Sequence, residues 1–88
     1  MRVKEDYLLR NVAGSFIVVP VGETSLDFSG VITLNEVGAF LWEKLQEDTT
    51  KEDLVSAVLA EYDIDEATAT ADIEEFIGKL KGADLLAD

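Results

Sequence analysis

The stretch that decides the fold is residues 30–45, which read GVITLNEVGAFLWEKL. Up to Leu34 the side chains alternate with the period of two that a β-strand with one buried face requires. From Asn35 the period becomes helical, because Asn is a favourable N-cap residue and apolar residues then recur three and four positions apart. We therefore predict a third strand over residues 30–34 that leads directly into a helix of about three turns.

Two earlier strands are predicted upstream of this stretch. The first is a short apolar run over residues 7–12, and the second is the β-branched and aromatic segment 15–21. Ala13-Gly14 offers the turn between them, and the turn residues of segment 22–25 connect the second strand to the third.

Two more helices are predicted downstream. Thr49 or Thr50 begins the second, and the third starts near Glu66 and is expected to end in a left-handed cap at Gly82. Strands followed by helices predict one α+β domain over residues 1–88. Its expected arrangement is a winged helix-turn-helix with a three-stranded antiparallel sheet.

The aromatic residues are assigned from their positions on these helices. Phe40, Tyr62 and Phe76 lie on apolar faces and are expected in the core. Trp42 lies beside the stripe of the first helix, which predicts a partly buried residue at the junction of sheet and helix. The terminal pair Leu85 and Leu86 is expected to fold back onto the core.

Composition excludes several classes of protein. The chain has 88 residues, with 7 basic and 19 acidic side chains, a net charge of −12, and no Cys or His. It therefore lacks the residues for disulfides, thiolate zinc sites and His-assisted nucleophiles. No signal peptide or membrane-spanning run is present. These features predict a cytoplasmic protein with no membrane partner, no catalytic residue and no cofactor.

The carboxylates suggest a metal site only weakly. Asp63, Asp65 and Glu74 stand at the first, third and twelfth positions of a calcium loop. However, Ala67 replaces the fifth ligand and Thr68 replaces the glycine of the sharp turn. Solvated acids and a helix cap explain these residues better, and we predict no metal site.

The winged helix-turn-helix reading suggests DNA, but the charges oppose it. Residues 66–72, which open the helix that would enter the groove, contain no Lys or Arg. We therefore predict no nucleic-acid partner. A winged-helix interaction or regulatory domain without a peptide substrate stays open as an alternative, and a basic face would favour it. An acyl carrier fits poorly, because Ser25-Leu26 lies in a loop.

Residues 34–42, LNEVGAFLW, resemble the Leu-Asn-Glu-x-Gly/Ala-x-x-Ile/Leu-Trp signature of the PqqD-like family, the RiPP recognition elements. The resemblance extends over residues 7–86. It implies a chaperone that binds the leader segment of a ribosomally made precursor peptide and presents it to a modifying enzyme, often a radical SAM maturase. In this family the leader adds as a strand in the groove between the third strand and the third helix.

Carried onto this chain, the resemblance places the peptide site on the third strand and on segment 72–80 of the third helix. The implied peptide-binding residues are Gly30, Val31, Ile32, Thr33, Leu34, Asp72, Ile73, Phe76, Ile77, Lys79 and Leu80. Lys79 and Lys81 are candidates to meet an acidic leader residue. An unpaired edge strand also makes a homodimer conceivable.

The resemblance leaves the pathway open. The member of this family that serves pyrroloquinoline quinone synthesis tends to carry Pro-Glu-Gly just before the third strand. This chain has Asp27-Phe28-Ser29-Gly30 there. Another peptide pathway is therefore an equal alternative.

Overall fold

The computed structural model describes residues 1–21 and 32–87, and in them three strands precede three helices. The elements are β1 (Tyr7–Val12), β2 (Ser15–Pro20), β3 (Ile32–Leu34), α1 (Glu36–Lys44), α2 (Lys51–Glu61) and α3 (Glu66–Gly82). The predicted α+β order is confirmed. The predicted loop 22–25, the segment 27–30 and Val31 lie outside the described residues.

The sheet is antiparallel, with the strand order β1-β2-β3. β1 and β2 form a hairpin whose turn residues Ala13 and Gly14 both have positive φ, 54° and 83°. Two positive φ angles are the signature of the tight hairpin turn that matches strand twist. β3 pairs with β2 from Val18↔Ile32 to Phe16↔Leu34. Within the described residues, the other edge of β3 has no strand beside it.

Side-chain caps begin all three helices. Asn35 Oδ1 accepts a hydrogen bond from the Gly38 N–H at 2.7 Å. Thr50 Oγ1 accepts from the Asp53 N–H at 3.1 Å, and Asp65 Oδ1 accepts from the Thr68 N–H at 2.7 Å. Each bond satisfies a backbone donor that has no partner within its helix. The predicted starts of α1 and α2 are therefore confirmed, and α3 begins at Glu66 as expected.

The end of α3 differs from the prediction. Gly82 is the last helical residue, and the left-handed conformation falls on Asp84, with φ of 58°. The Leu85 N–H donates to the Leu80 carbonyl and the Asp84 N–H to the Lys81 carbonyl, which is a Schellman motif. An Asp tolerates this conformation better than most residues, so glycine was a misleading marker here.

Beyond this cap the chain folds back, as predicted for Leu85 and Leu86. Leu85 is 0% and Leu86 7% exposed. The Lys4 N–H donates to the Leu85 carbonyl and the Ala87 N–H to the Arg2 carbonyl, so the two chain ends pair antiparallel. This pairing closes the core at one end of α3.

One hydrophobic core joins the sheet to the helices. Its buried members are Val3, Tyr7, Val18, Leu34, Leu41, Trp42, Leu45, Leu54, Val55, Val58, Ala69, Ile73, Phe76, Ile77, Leu80, Leu85 and Leu86. None of the helices in the described parts of the chain is long and apolar enough to cross a membrane.

The prediction for Trp42 needs correction, whereas Phe40 and Tyr62 pack against the core as predicted. Trp42 is 1% exposed, not an edge residue, because α1 is buried on both its Leu41 and its Trp42 sides. Phe40 and Tyr62 are only partly buried. Their ring centroids lie 5.4 Å apart and the ring planes are at 89° to each other, which is an edge-to-face contact. Burial and nearby acidic groups raise the pKa of Tyr62.

Candidate functional site

A cleft of about 160 Å³ opens where β3 runs into α1, with α3 forming its opposite wall. Its lining residues are Leu34, Asn35, Val37, Gly38, Leu41, Asp72, Glu75, Phe76 and Lys79. Because Asn35 alone separates β3 from α1, the first turn of α1 necessarily flanks the end of the strand. The cleft therefore begins at the end of β3, where Leu34 and Asn35 line it.

The floor of the cleft is apolar and depends on a close approach at Gly38. A Cβ atom at Gly38 would lie 3.3 Å from Leu34 Cβ, 3.4 Å from Phe76 Cε1 and 3.2 Å from Asn35 Oδ1. These distances are tighter than ordinary van der Waals contact, so the missing side chain lets α1 and α3 approach here. Phe76 is 8% exposed and contributes to both the core and the floor.

The charges of the cleft come from one face of α3. Asp72, Glu75 and Lys79 stand at helix positions i, i+3 and i+7, which lie on the same side of a helix. Glu75 and Lys79 form no ion pair, either with each other or with any other residue of the described segments. Both remain available to a ligand.

The neighbouring acid on α3 is neutralised instead. Glu74 projects away from the cleft and pairs with Lys51 at the start of α2. This contact, together with the cap made by Asp65, gives two of the three residues considered for calcium other roles. Among the described residues, no group of three or more potential metal ligands is found.

The structure divides the predicted peptide-binding residues into three groups. Leu34, Asp72, Phe76 and Lys79 line the cleft. Ile32, partly buried, and Thr33, exposed, lie on the adjoining edge strand. Ile73, Ile77 and Leu80 are 0%, 9% and 0% exposed and belong to the core. Gly30 and Val31 lie outside the described residues.

The three core residues follow from helix geometry. Ile73, Ile77 and Leu80 form the stripe of α3 that faces the other elements, and the cleft-facing stripe is displaced from it by one residue. An apolar stripe on an amphipathic helix marks what is buried in the domain, not what is open to a ligand. Lys81 is not among the residues that line the cleft.

Sequence reasoning missed the contribution of α1 and of Glu75. The additional lining residues are Asn35, Val37, Gly38, Leu41 and Glu75. The four on α1 and its cap fall within the LNEVGAFLW stretch that carries the family resemblance. The sequence did contain a signal for the contribution of α1. When a single residue separates a strand from the next helix, the first turn of that helix must lie beside the end of the strand.

A second cleft of about 250 Å³ lies at the other edge of the sheet. It is lined by Tyr7, Leu8, Leu9, Trp42, Glu43 and Gln46. Leu8 is 44% exposed there. Among the described residues, no helix forms an opposing charged wall comparable to α3, since the lining comes from β1, from α1 and from Gln46, two residues beyond the end of α1.

The charges of α3 oppose binding to duplex DNA. The helix carries four acidic residues against Lys79 and Lys81. Elsewhere Arg2 pairs with Glu5 at 2.9 Å, and Lys4 pairs with Asp84 at 3.0 Å. Nucleic-acid affinity comes from an excess of cations over anions at the phosphates, and on α3 the carboxylates outnumber the lysines.

Two solved structures share this fold. "TbiB1 in Complex with the TbiA(beta) Leader Peptide" matches with a TM-score of 0.76 and 24% identity, covering 99% of this chain and 95% of that one. "Lasso peptide synthetase B1 complexed with the leader peptide" matches with a TM-score of 0.72 and 17% identity, covering 96% and 93%. Among curated proteins, none matches the sequence.

The family model for Coenzyme PQQ synthesis protein D (PqqD) matches residues 14–86. This range contains β2, β3 and all three helices, and with them every residue that lines the cleft. The resemblance drawn from the LNEVGAFLW stretch is thereby confirmed, and the chain belongs to the PqqD family.

Proposed function

We propose that this protein binds the leader segment of a ribosomally made precursor peptide, which adds as a strand beside β3 in the cleft toward α3. The observation that carries the proposal is that β3, whose outer edge has no strand beside it among the described residues, ends in a cleft with an apolar floor and a charged wall. The two solved structures with this fold, which were determined with leader peptides, support it.

The physical basis is that an edge strand presents unpaired backbone donors and acceptors. Alternate residues of β3 direct their N–H and C=O groups away from β2, so an extended peptide can continue the ladder. Backbone pairing contributes affinity, and the side-chain pockets beside the strand contribute specificity. In this chain those pockets are formed by Leu34, Val37, Leu41 and Phe76.

The protein acts in this proposal as a recognition domain over residues 1–88, without a catalytic residue, metal or cofactor of its own. It holds the leader while a separate enzyme modifies the core of the precursor. A radical SAM maturase is the proposed enzyme, and the cytoplasm is the proposed compartment. Neither a nucleic acid nor a membrane is a partner.

Titration of the full chain with short peptides encoded beside its gene tests this proposal. Binding in the micromolar range is expected, with amide shifts concentrated on Thr33, Leu34, Gly38 and Phe76. Residues 8–12 on the opposite edge of the sheet serve as an internal control and should not move. Shifts confined to that edge, or no binding by a folded sample, would overturn the proposal.

The enzyme partner requires its own measurement. Modification of the precursor by the neighbouring maturase should accelerate when this protein is added, and a leader-less precursor should show no acceleration. Equal rates with and without the protein contradict a presenting role. They would also favour the alternative of an interaction or regulatory domain that has no peptide substrate.

A further inference from the structure

The cleft is electrostatically uneven along α3. Asp72 and Glu75 lie one helical turn apart, whereas Lys79 lies a further turn along. Lys79 lies seven positions after Asp72, about 10 Å along a helix axis. One end of the cleft is therefore acidic and the other end basic.

The two acidic groups form no ion pair within the described residues, although Lys79 follows Glu75 by four positions on the same face of α3. Neither Asp72 nor Glu75 forms an ion pair or a side-chain hydrogen bond with another residue of segments 1–21 and 32–87. By contrast, Glu74, between them in sequence, pairs with Lys51 away from the cleft. Like charges one helical turn apart repel each other, and a cation placed between them would relieve that repulsion.

The apolar floor strengthens such a contact. Phe76 and Leu41 line the same cleft as the two carboxylates and exclude water from one side of it. A charge pair at the boundary of an apolar surface attracts more strongly than the same pair in bulk water. An Arg or Lys side chain can also lay its alkyl stem on the floor while its charged group reaches the rim.

Strand geometry determines the spacing of the two ligand side chains. A peptide that continues the sheet beyond β3 points every second side chain toward α3. Each step of two residues advances the peptide by roughly 6.6 Å. An apolar side chain on the floor and a basic side chain at Asp72 and Glu75 would therefore come from one face of the peptide, and two residues is the shortest such spacing.

We infer that the leader bound by this cleft carries a Lys or Arg two residues from an apolar anchor, with the basic group held between Asp72 and Glu75. The inference rests on the proposed function, because it names the chemistry of the peptide that the same cleft takes. The net charge of −12 steers such a peptide toward the protein but does not select the position of its basic residue.

Selection from a random library of displayed 12-residue peptides tests the inference without knowledge of the natural leader. The baits are the full chain, Asp72→Asn/Glu75→Gln and, as a matched control, Glu47→Gln/Glu61→Gln. The control removes the same charge from two exposed residues that do not line the cleft. A peptide that occupies the cleft is identified by the shifts that it causes in the Gly38 and Phe76 amide signals.

The wild-type chain should enrich peptides with an apolar residue and a basic residue two positions apart. A selected peptide should lose about 5- to 20-fold in affinity on Asp72→Asn/Glu75→Gln and less than about twofold on the control, as expected for two partly exposed charge contacts. The charge-reversed variant Asp72→Lys/Glu75→Lys should instead enrich Asp or Glu at that position.

The outcomes separate this inference from the proposed function. Cleft-binding peptides without a basic preference, or an equal loss on the control variant, overturn the inference and leave peptide binding intact. If selected peptides bind but none of them shifts the Gly38 and Phe76 amide signals, the proposed site itself is wrong.

Discussion

The core-facing and cleft-facing sides of α3 lie one residue apart and behave as different surfaces. The first consists of Ala69, Ile73, Ile77 and Leu80, which are at most 9% exposed. The second consists of Asp72, Glu75, Phe76 and Lys79, which line the cleft. A single helix therefore both holds the domain together and forms one wall of the cleft that is proposed to bind the peptide. Substitutions on the core-facing side should therefore change the stability of the domain, and substitutions on the cleft-facing side should change its affinity for peptide.

The largest expected effect is on the core side. Ile73→Ala removes a side chain that is 0% exposed and leaves a cavity between α3 and the rest of the core. We expect the free energy of unfolding to fall by about 2–5 kcal/mol, measured by urea denaturation. The peptide affinity of the folded fraction should stay unchanged, because Ile73 does not line the cleft.

Leu59→Ala is the matched control for this variant. Leu59 is 36% exposed on α2, so its truncation should cost much less stability than that of Ile73. Equal losses for the two variants would contradict the distinction between the buried stripe and the surface. A loss of peptide affinity in folded Ile73→Ala would show that the two sides of α3 are coupled.

The second effect concerns the strand that borders the cleft. Because backbone groups alternate along a strand, one of Ile32 and Thr33 directs its N–H toward β2 and the other directs it outward. Pro at the outward position removes a donor to the bound peptide, and Pro at the inward position removes a donor to β2. We expect the outward variant to bind at least about tenfold more weakly, roughly 1.4 kcal/mol, with little loss of stability.

Calorimetric titration and thermal unfolding of both proline variants make this comparison. The inward variant reports how much affinity is lost through damage to the sheet alone. Full affinity in both folded variants would exclude strand addition at β3. The opposite edge of the sheet, with Leu8 exposed, would then become the better candidate.

The local signals of the sequence predicted most of the fold. Asn35 and Thr50 were recognisable as helix caps because their side-chain oxygens suit the first free N–H groups of a helix. The change of period at Asn35 likewise placed the boundary between β3 and α1. These features depend on residues within a few positions of one another, which is why they can be read from the sequence.

Features that depend on packing were less accessible. Trp42 is fully buried because α1 is covered from two directions, and a single apolar stripe does not reveal a second covered side. Ile73 and Leu80 were assigned to the peptide site, but their 0% exposure depends on how α3 docks against the other elements. The family resemblance indicated the third strand and the third helix, and only the structure distinguished the residues that line the cleft from those of the core.

The third effect tests the close approach at the cleft floor. Gly38→Ala places a Cβ 3.2 Å from Asn35 Oδ1 and 3.3 Å from Leu34 Cβ, so these neighbours must give by a few tenths of an ångström, and it brings the Cβ to 3.4 Å from Phe76. Ala is favoured over Gly in a helix by about 1 kcal/mol, which offsets the crowding in the stability of the domain. We expect a severalfold loss of peptide affinity, measured by titration, with little change in the unfolding midpoint.

Gly78→Ala is the matched control for Gly38→Ala. Gly78 lies on the same helix as Phe76, but a Cβ there would meet nothing within 4 Å. This variant should gain up to about 1 kcal/mol of stability from helix propensity and bind peptide like the wild type. Equal affinities for both alanine variants would mean that the approach at Gly38 does not shape the binding surface.

The smallest effect concerns the start of α3, which orients both of its sides. The hydrogen bonds from Thr68 hold the pKa of Asp65 below its ordinary value of 3.8. A depressed carboxyl pKa contributes stability that is fully present above the unfolded value and is lost as the pH falls through the folded value. Asp65→Asn keeps a capping oxygen but cannot titrate in this range. Unfolding free energies measured from about pH 5 to about pH 2 should therefore fall more steeply for the wild type than for the variant. Parallel curves would show that the Asp65 charge does not stabilise α3, and the cap would then act through its hydrogen bond alone.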